Sequence, residues 1–130
     1  MKLRPLVVAA VGIALAGCVT IDPATVEKMS SQDLCVVYGA NLRVPDNGER
    51  VAILRQELHR RDLLLTSDGH GRMASEQVRV GDSECAMYAA WGRPVRQNRT
   101  TTASGTRVQH VYEGRNYVYT TNGRVTGIQN

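Results

Sequence analysis

Apolar and polar positions divide the chain into an apolar head, a helical middle and an alternating tail. Leu6 to Leu15 is apolar apart from Gly12; Lys2 and Arg4 precede it, and Ala16, Gly17 and Cys18 follow. That run is shorter than the roughly 20 residues a spanning helix needs. A charged start, a short apolar stretch and small residues are the layout of a secretory signal, here residues 1–17. Residues 18–29 lead away from the apolar head and include Pro23, which predicts a tether, with one domain over residues 30–130.

The middle reads as helices. Ser30-Ser31-Gln32-Asp33 has a capping oxygen and a first-turn acid. It predicts a helix from Ser31 to Tyr38, with Leu34, Val37 and Tyr38 on one face and Gly39 as its stop. Asp46 and Glu49 resemble a capping box ahead of a second helix over Asn47 to Arg61. Its apolar stripe is Val51, Leu54 and Leu58, and Glu57 and Arg61 form an i, i+4 pair. Leu63 to Leu65 is either a short strand or the end of that helix packing inward, and Ser67 to Ala74 is a polar, Gly-containing loop. Gln77 to Val80 alternates like a strand. Ser83 to Trp91 is a short helix capped by Asp82 or Ser83 and ended by Gly92 and Pro94.

The tail predicts four strands, over residues 95–102, 106–112, 117–121 and 124–129. Asn122-Gly123 is the strongest turn signal, because a type I′ hairpin needs positive φ at both central residues. The fold class is therefore α+β: helices, then an antiparallel β-meander packed on them. With Glu113 to Asn116 as a turn, Tyr112 stands opposite Tyr117 and His110 opposite Tyr119. Alternation then puts Val108, His110, Tyr112, Tyr117 and Tyr119 on one face, and Gln109, Val111, Val118 and Thr120 on the other. If the aromatic face covers the helices it is core; if it is exposed it is a candidate protein-binding surface.

Composition narrows the classes. A chain of 130 residues with no Phe, one Trp and five Tyr supports one domain with a modest aliphatic core. The formal charge is +4, but without residues 1–17 the remaining 113 residues hold 14 basic and 12 acidic side chains. The adjacent basic pair Arg60-Arg61 is no basic stripe, which argues against nucleic acid as a partner. His59, His70 and His110 lack metal-ligand spacing, and no nucleophile elbow or phosphate loop is present. No enzyme activity, cofactor or metal site is expected.

The tetrad Leu15-Ala16-Gly17-Cys18, placed just after the apolar run, resembles the lipobox of bacterial lipoproteins. The resemblance implies cleavage before Cys18 and acylation of Cys18, so that the membrane is held through several acyl chains, where one alone binds only marginally. Val19 follows, where such proteins commonly carry Asp when kept at the inner membrane; the resemblance thus implies the outer membrane, periplasmic face. Cys35 and Cys85 remain as an even pair in an oxidising compartment. They are a disulfide candidate, the alternative being two buried free thiols.

Residues 78–129 resemble the SmpA/OmlA (BamE-like) family of small outer-membrane lipoproteins, whose α+β unit is β-lactamase-inhibitor-like. The resemblance is carried by Val80-Gly81 before a capped helix, Gly92-Arg93-Pro94 at its end, Val111-Tyr112, Tyr117-Val118-Tyr119 and Asn122-Gly123-Arg124-Val125. It implies an envelope scaffold that contacts another envelope protein. The alternatives are an accessory lipoprotein of a secretion or other trans-envelope apparatus, and a cell-wall-glycan-binding module.

Overall fold

A computed structural model describes residues 20–130. Five helices come first: α1 (Pro23–Glu27), α2 (Ser31–Leu42), α3 (Gly48–Arg60), α4 (His70–Ala74) and α5 (Glu84–Trp91). Strands β1 (Arg96–Thr102), β2 (Gly105–Tyr112), β3 (Asn116–Thr121) and β4 (Arg124–Gln129) follow as one antiparallel sheet in the order β1-β2-β3-β4. The sheet packs against the helices, an α+β fold. Among the described residues no helix is long and apolar enough to cross a membrane.

The stretch expected to be a tether is folded from Asp22 onward. Asp22 accepts the Thr25 N–H at 2.9 Å, Pro23 supplies the first helical turn, and Val26 is buried. Pro23 is no sign of a tether here, because proline fits the first turn of a helix, where its missing N–H has no intrahelical partner to lose. Arg61 at the end of α3 holds α1 in place: its guanidinium donates to the carbonyls of Val26 (3.2 Å), Glu27 (3.0 Å) and Met29 (2.8 Å). Of these, Glu27 is the last residue of α1, whose carbonyl a helix end leaves without an intrahelical donor.

Helix α2 runs through Gly39 to Leu42 instead of stopping there. Gly39 is a contact point, not a terminator. A Cβ at this position would lie 1.8 Å from the Ala89 carbonyl oxygen on α5. One turn earlier, the sulfurs of Cys35 and Cys85 lie at disulfide distance, 2.09 Å. Cys35–Cys85 and Gly39–Ala89 each step four residues in the same direction, so α2 and α5 lie side by side and parallel. Pro45 disfavours helical geometry at Val44 and ends α2. The core centres on this pair, with Leu34, Tyr38, Met87 and Ala89 joined by Leu54, Leu58 and Met73.

Residues 77–80 form no strand. The Asp82 carboxylate accepts the Arg79 N–H at 2.8 Å and the Asp82 N–H donates to the Arg79 carbonyl at 3.1 Å, which folds the segment into a turn. Residues 81–83 take up the pairing instead, against β4: Gly81 donates to the Val125 carbonyl and Val125 to the Asp82 carbonyl, each at 2.8 Å. Residues 63–65 are irregular, and part of the 67–74 loop is helix α4.

Candidate protein-docking site

The turn between β2 and β3 decides which side chains face out. Tyr112 pairs with Asn116, Val111 with Tyr117, His110 with Val118 and Gln109 with Tyr119. Three residues, Glu113 to Arg115, make the connection, with Gly114 and Arg115 at positive φ. The expected pairing of Tyr112 with Tyr117 and of His110 with Tyr119 is therefore shifted by one position. Because side chains alternate with period two, that single step moves a strand's whole set to the opposite face.

The expected site is thereby split. Val108, His110 and Tyr112 are buried on the inner face beside Val118, Thr120 and Val125. Tyr117 and Tyr119 lie on the outer face and are half-buried. The five residues do not form one surface. Tyr112 is core: its ring meets Trp91 edge-on at 5.4 Å and its hydroxyl donates to the Gly92 carbonyl at 2.9 Å. Burial pushes the ionisation of that phenol above its ordinary range.

His110 is completely buried in a polar network between α5 and the sheet. The Gln97 amide donates to the Tyr88 hydroxyl (2.7 Å) and to His110 Nδ1 (2.9 Å). With Nδ1 accepting, Nε2 carries the proton and donates to Thr120 Oγ1 at 2.9 Å. Thr120 donates to Glu84 Oε2 at 2.9 Å and Tyr88 to Glu84 Oε1 at 3.0 Å. Every donor in the chain ends on one carboxylate. Glu84 is held below the usual carboxylate range by His110 first, with Thr120 and Tyr88 adding to this against the opposing effect of burial. The network fixes α5 on the sheet. Asp68 fixes the helix start in turn, accepting the Ser83 N–H (2.9 Å) and hydroxyl (2.5 Å).

Among the described residues, no helix covers the outer face. Val111, Tyr117 and Tyr119 form its apolar centre. Tyr119 leans over Gly127, where a Cβ would touch its ring carbon at 3.7 Å. Its hydroxyl accepts from Gln109 and donates to Gln129, both at 3.2 Å. Gln109 in turn accepts from Asn98 at 2.8 Å. Arg96 and Arg107 stand on the same face by register and alternation. Tyr119 is thus aimed and oriented by polar neighbours, an amphipathic arrangement common where proteins bind one another.

Two signals in the sequence bear on this face. None of the four strands contains Asp or Glu, while four arginines fall within them. The glutamine-tyrosine ladder emerges once the register is known. Cys18, the expected acylation site, lies outside the described residues. The Cys35–Cys85 pair lines a cavity of about 530 Å³ between α2, residues 62–65 and α5. No family model, no curated protein and no solved structure matches this chain.

Proposed function

We propose that the chain is a lipoprotein held at the outer membrane through acyl chains on Cys18, and that its folded part is a periplasmic scaffold. Its outer sheet face docks another envelope protein. The observation that carries the docking role is the centre of Val111, Tyr117 and Tyr119, which none of the described helices covers, with the Tyr119 hydroxyl already oriented by Gln109 and Gln129. Aromatic rings with a fixed rotamer offer contact area at small entropic cost. The anchor and its address rest on the tetrad at residues 15–18, and the kinship with the SmpA/OmlA family rests on the motifs at 78–129.

Crosslinking in intact membranes tests the reading. A photoreactive residue replacing Gln109 is expected to capture a stoichiometric protein partner, and Tyr119→Ala to reduce that capture. Retention on cell-wall sacculi with no protein captured would overturn it in favour of a glycan binder. Intact-mass measurement is expected to find residues 1–17 removed and Cys18 acylated; a bare Cys18 thiol would sink the anchor.

A further inference from the structure

Charge in this molecule is segregated by layer. Residues 92–130 hold six arginines and one acid, Glu113, a net of +5; residues 20–91 hold eight basic and eleven acidic residues, a net of −3. Arg93 is engaged by Asp33 on α2. Among the described residues, Arg96, Arg99, Arg107 and Arg124 form no ion pair. The sheet is a cationic layer with no acid inside any strand.

The two edges of the sheet differ. The edge of β4 is partly closed by residues 81–84, through Gly81, Asp82 and the Glu84 N–H, which donates to the Gly123 carbonyl at 2.9 Å. Among the described residues nothing pairs with the outer edge of β1, and all seven of its residues are exposed. An open edge offers a row of unpaired N–H and C=O groups to another strand. A second copy is a poor occupant: it brings a strand that carries the same two arginines and no acid, so it offers no opposite charge to Arg96 or Arg99, whereas opposite-charge pairs across strands are stabilising. A strand bearing carboxylates meets the opposite situation. Arg96 stands on the outer face opposite Val111 and Arg99 on the inner face opposite Val108. A paired strand with acids on both faces finds a cation on each.

We infer that β1 accepts an extended acidic segment of the partner protein as a fifth strand of the sheet. This rests on the docking role proposed above and names the chemistry of its partner. The edge is continuous with the outer face through the Asn98–Gln109 hydrogen bond. Strand addition takes affinity from backbone hydrogen bonds and selectivity from alternate side chains.

The test uses the full acylated chain in detergent micelles. Three peptides serve as probes: one repeating Glu-Glu-Val-Val, which sets Glu on both faces of a strand, the same with a central Pro that cannot complete a strand, and the same with Lys for each Glu. The acidic peptide is expected to bind, more weakly as salt rises, and to slow hydrogen exchange across residues 96–102 but not 124–129. The Pro and Lys peptides, and the exposed-site variant R96E/R99E with unchanged thermal midpoint, are each expected to lose about tenfold or more in affinity. Equal binding of the Pro peptide would show charge attraction without a strand and overturn the inference. So would protection at β4, or no binding of the acidic peptide. If the edge fails while crosslinking from position 109 in membranes persists, this inference alone falls; if both fail, the docking role falls with it.

Discussion

Gly39→Ala sets two effects of opposite sign against each other. On an exposed helix the change gains about 1 kcal/mol, because alanine restricts the unfolded chain and favours the helix. Here the added methyl meets the Ala89 backbone at 1.8, 2.4 and 2.5 Å. Real Cβ contacts stay above 3.0 Å, so α2 must retreat from α5 by at least 1.2 Å, the difference between 3.0 and 1.8. Overpacking of this kind costs about 1–3 kcal/mol. The retreat also opens a gap around Leu34, Tyr38 and Met87, and a gap of that width forfeits roughly a quarter to a half of each dispersion contact. With the forfeited contact worth about 1 kcal/mol, it offsets the helix gain, and the steric side wins with a net loss of about 1–3 kcal/mol, a large part of a small domain's stability. The Cys35–Cys85 link, one turn away, resists the retreat. The cost of Gly39→Ala should therefore shrink by about 0.5 kcal/mol or more in a Cys35→Ala/Cys85→Ala background. Urea unfolding of the four proteins of this cycle measures both quantities. A Gly39→Ala midpoint equal to or above that of the parent would refute the close α2–α5 approach.

Reduction of the Cys35–Cys85 link releases a 50-residue loop, and chain entropy then gives a loss of about 4 kcal/mol, read as the shift in urea midpoint with and without reductant. Glu84 has a depressed native pKa, so its contribution is present above its ordinary value of 4.5 and is lost as pH falls through the lower native value; Glu84→Gln should flatten this acid limb of stability against pH. Tyr88 and Tyr112 are raised above 10.0 in the folded state, so their contribution is lost as pH rises beyond 10.0, and ultraviolet titration should find two phenols that resist ionisation until the protein unfolds. Arg61→Ala should free α1, raising hydrogen exchange over residues 22–29 while the exchange of α5 and the sheet stays nearly unchanged.

Much of the fold was legible because its signals are local. Ser30 and Ser83 cap α2 and α5 through their own hydroxyls, accepting N–H groups three residues on at 3.1 and 3.0 Å. Asn122 and Gly123 both adopt positive φ, 50° and 77°, as a type I′ turn requires. Gly39 was misleading because glycine serves two ends, stopping a helix or letting another backbone come close, and only the position of α5 tells which. Gln77 to Val80 alternates like a strand, but the choice between strand and turn fell to the Asp82 side chain, a competitor for backbone N–H groups that alternation does not weigh.

The candidate site shows the same limit most sharply. Glu113-Gly114-Arg115-Asn116 contains turn residues throughout, and nothing local says whether three or four of them leave the ladder. With four, Tyr112, Tyr117 and Tyr119 share a face; with three, Tyr112 goes to the core and the other two to the surface. The structure takes three because Arg115 accepts positive φ at 63°, letting Asn116 return to the sheet, where its amide caps the turn by donating to the Glu113 carbonyl at 2.9 Å. That choice also puts His110 beside Thr120 and Glu84, where its ring completes a network with both nitrogens bonded. In the other register a valine would face Glu84 and the imidazole would sit in solvent among tyrosines. The buried network therefore selects the register, and the register selects which tyrosines are left outside for a partner.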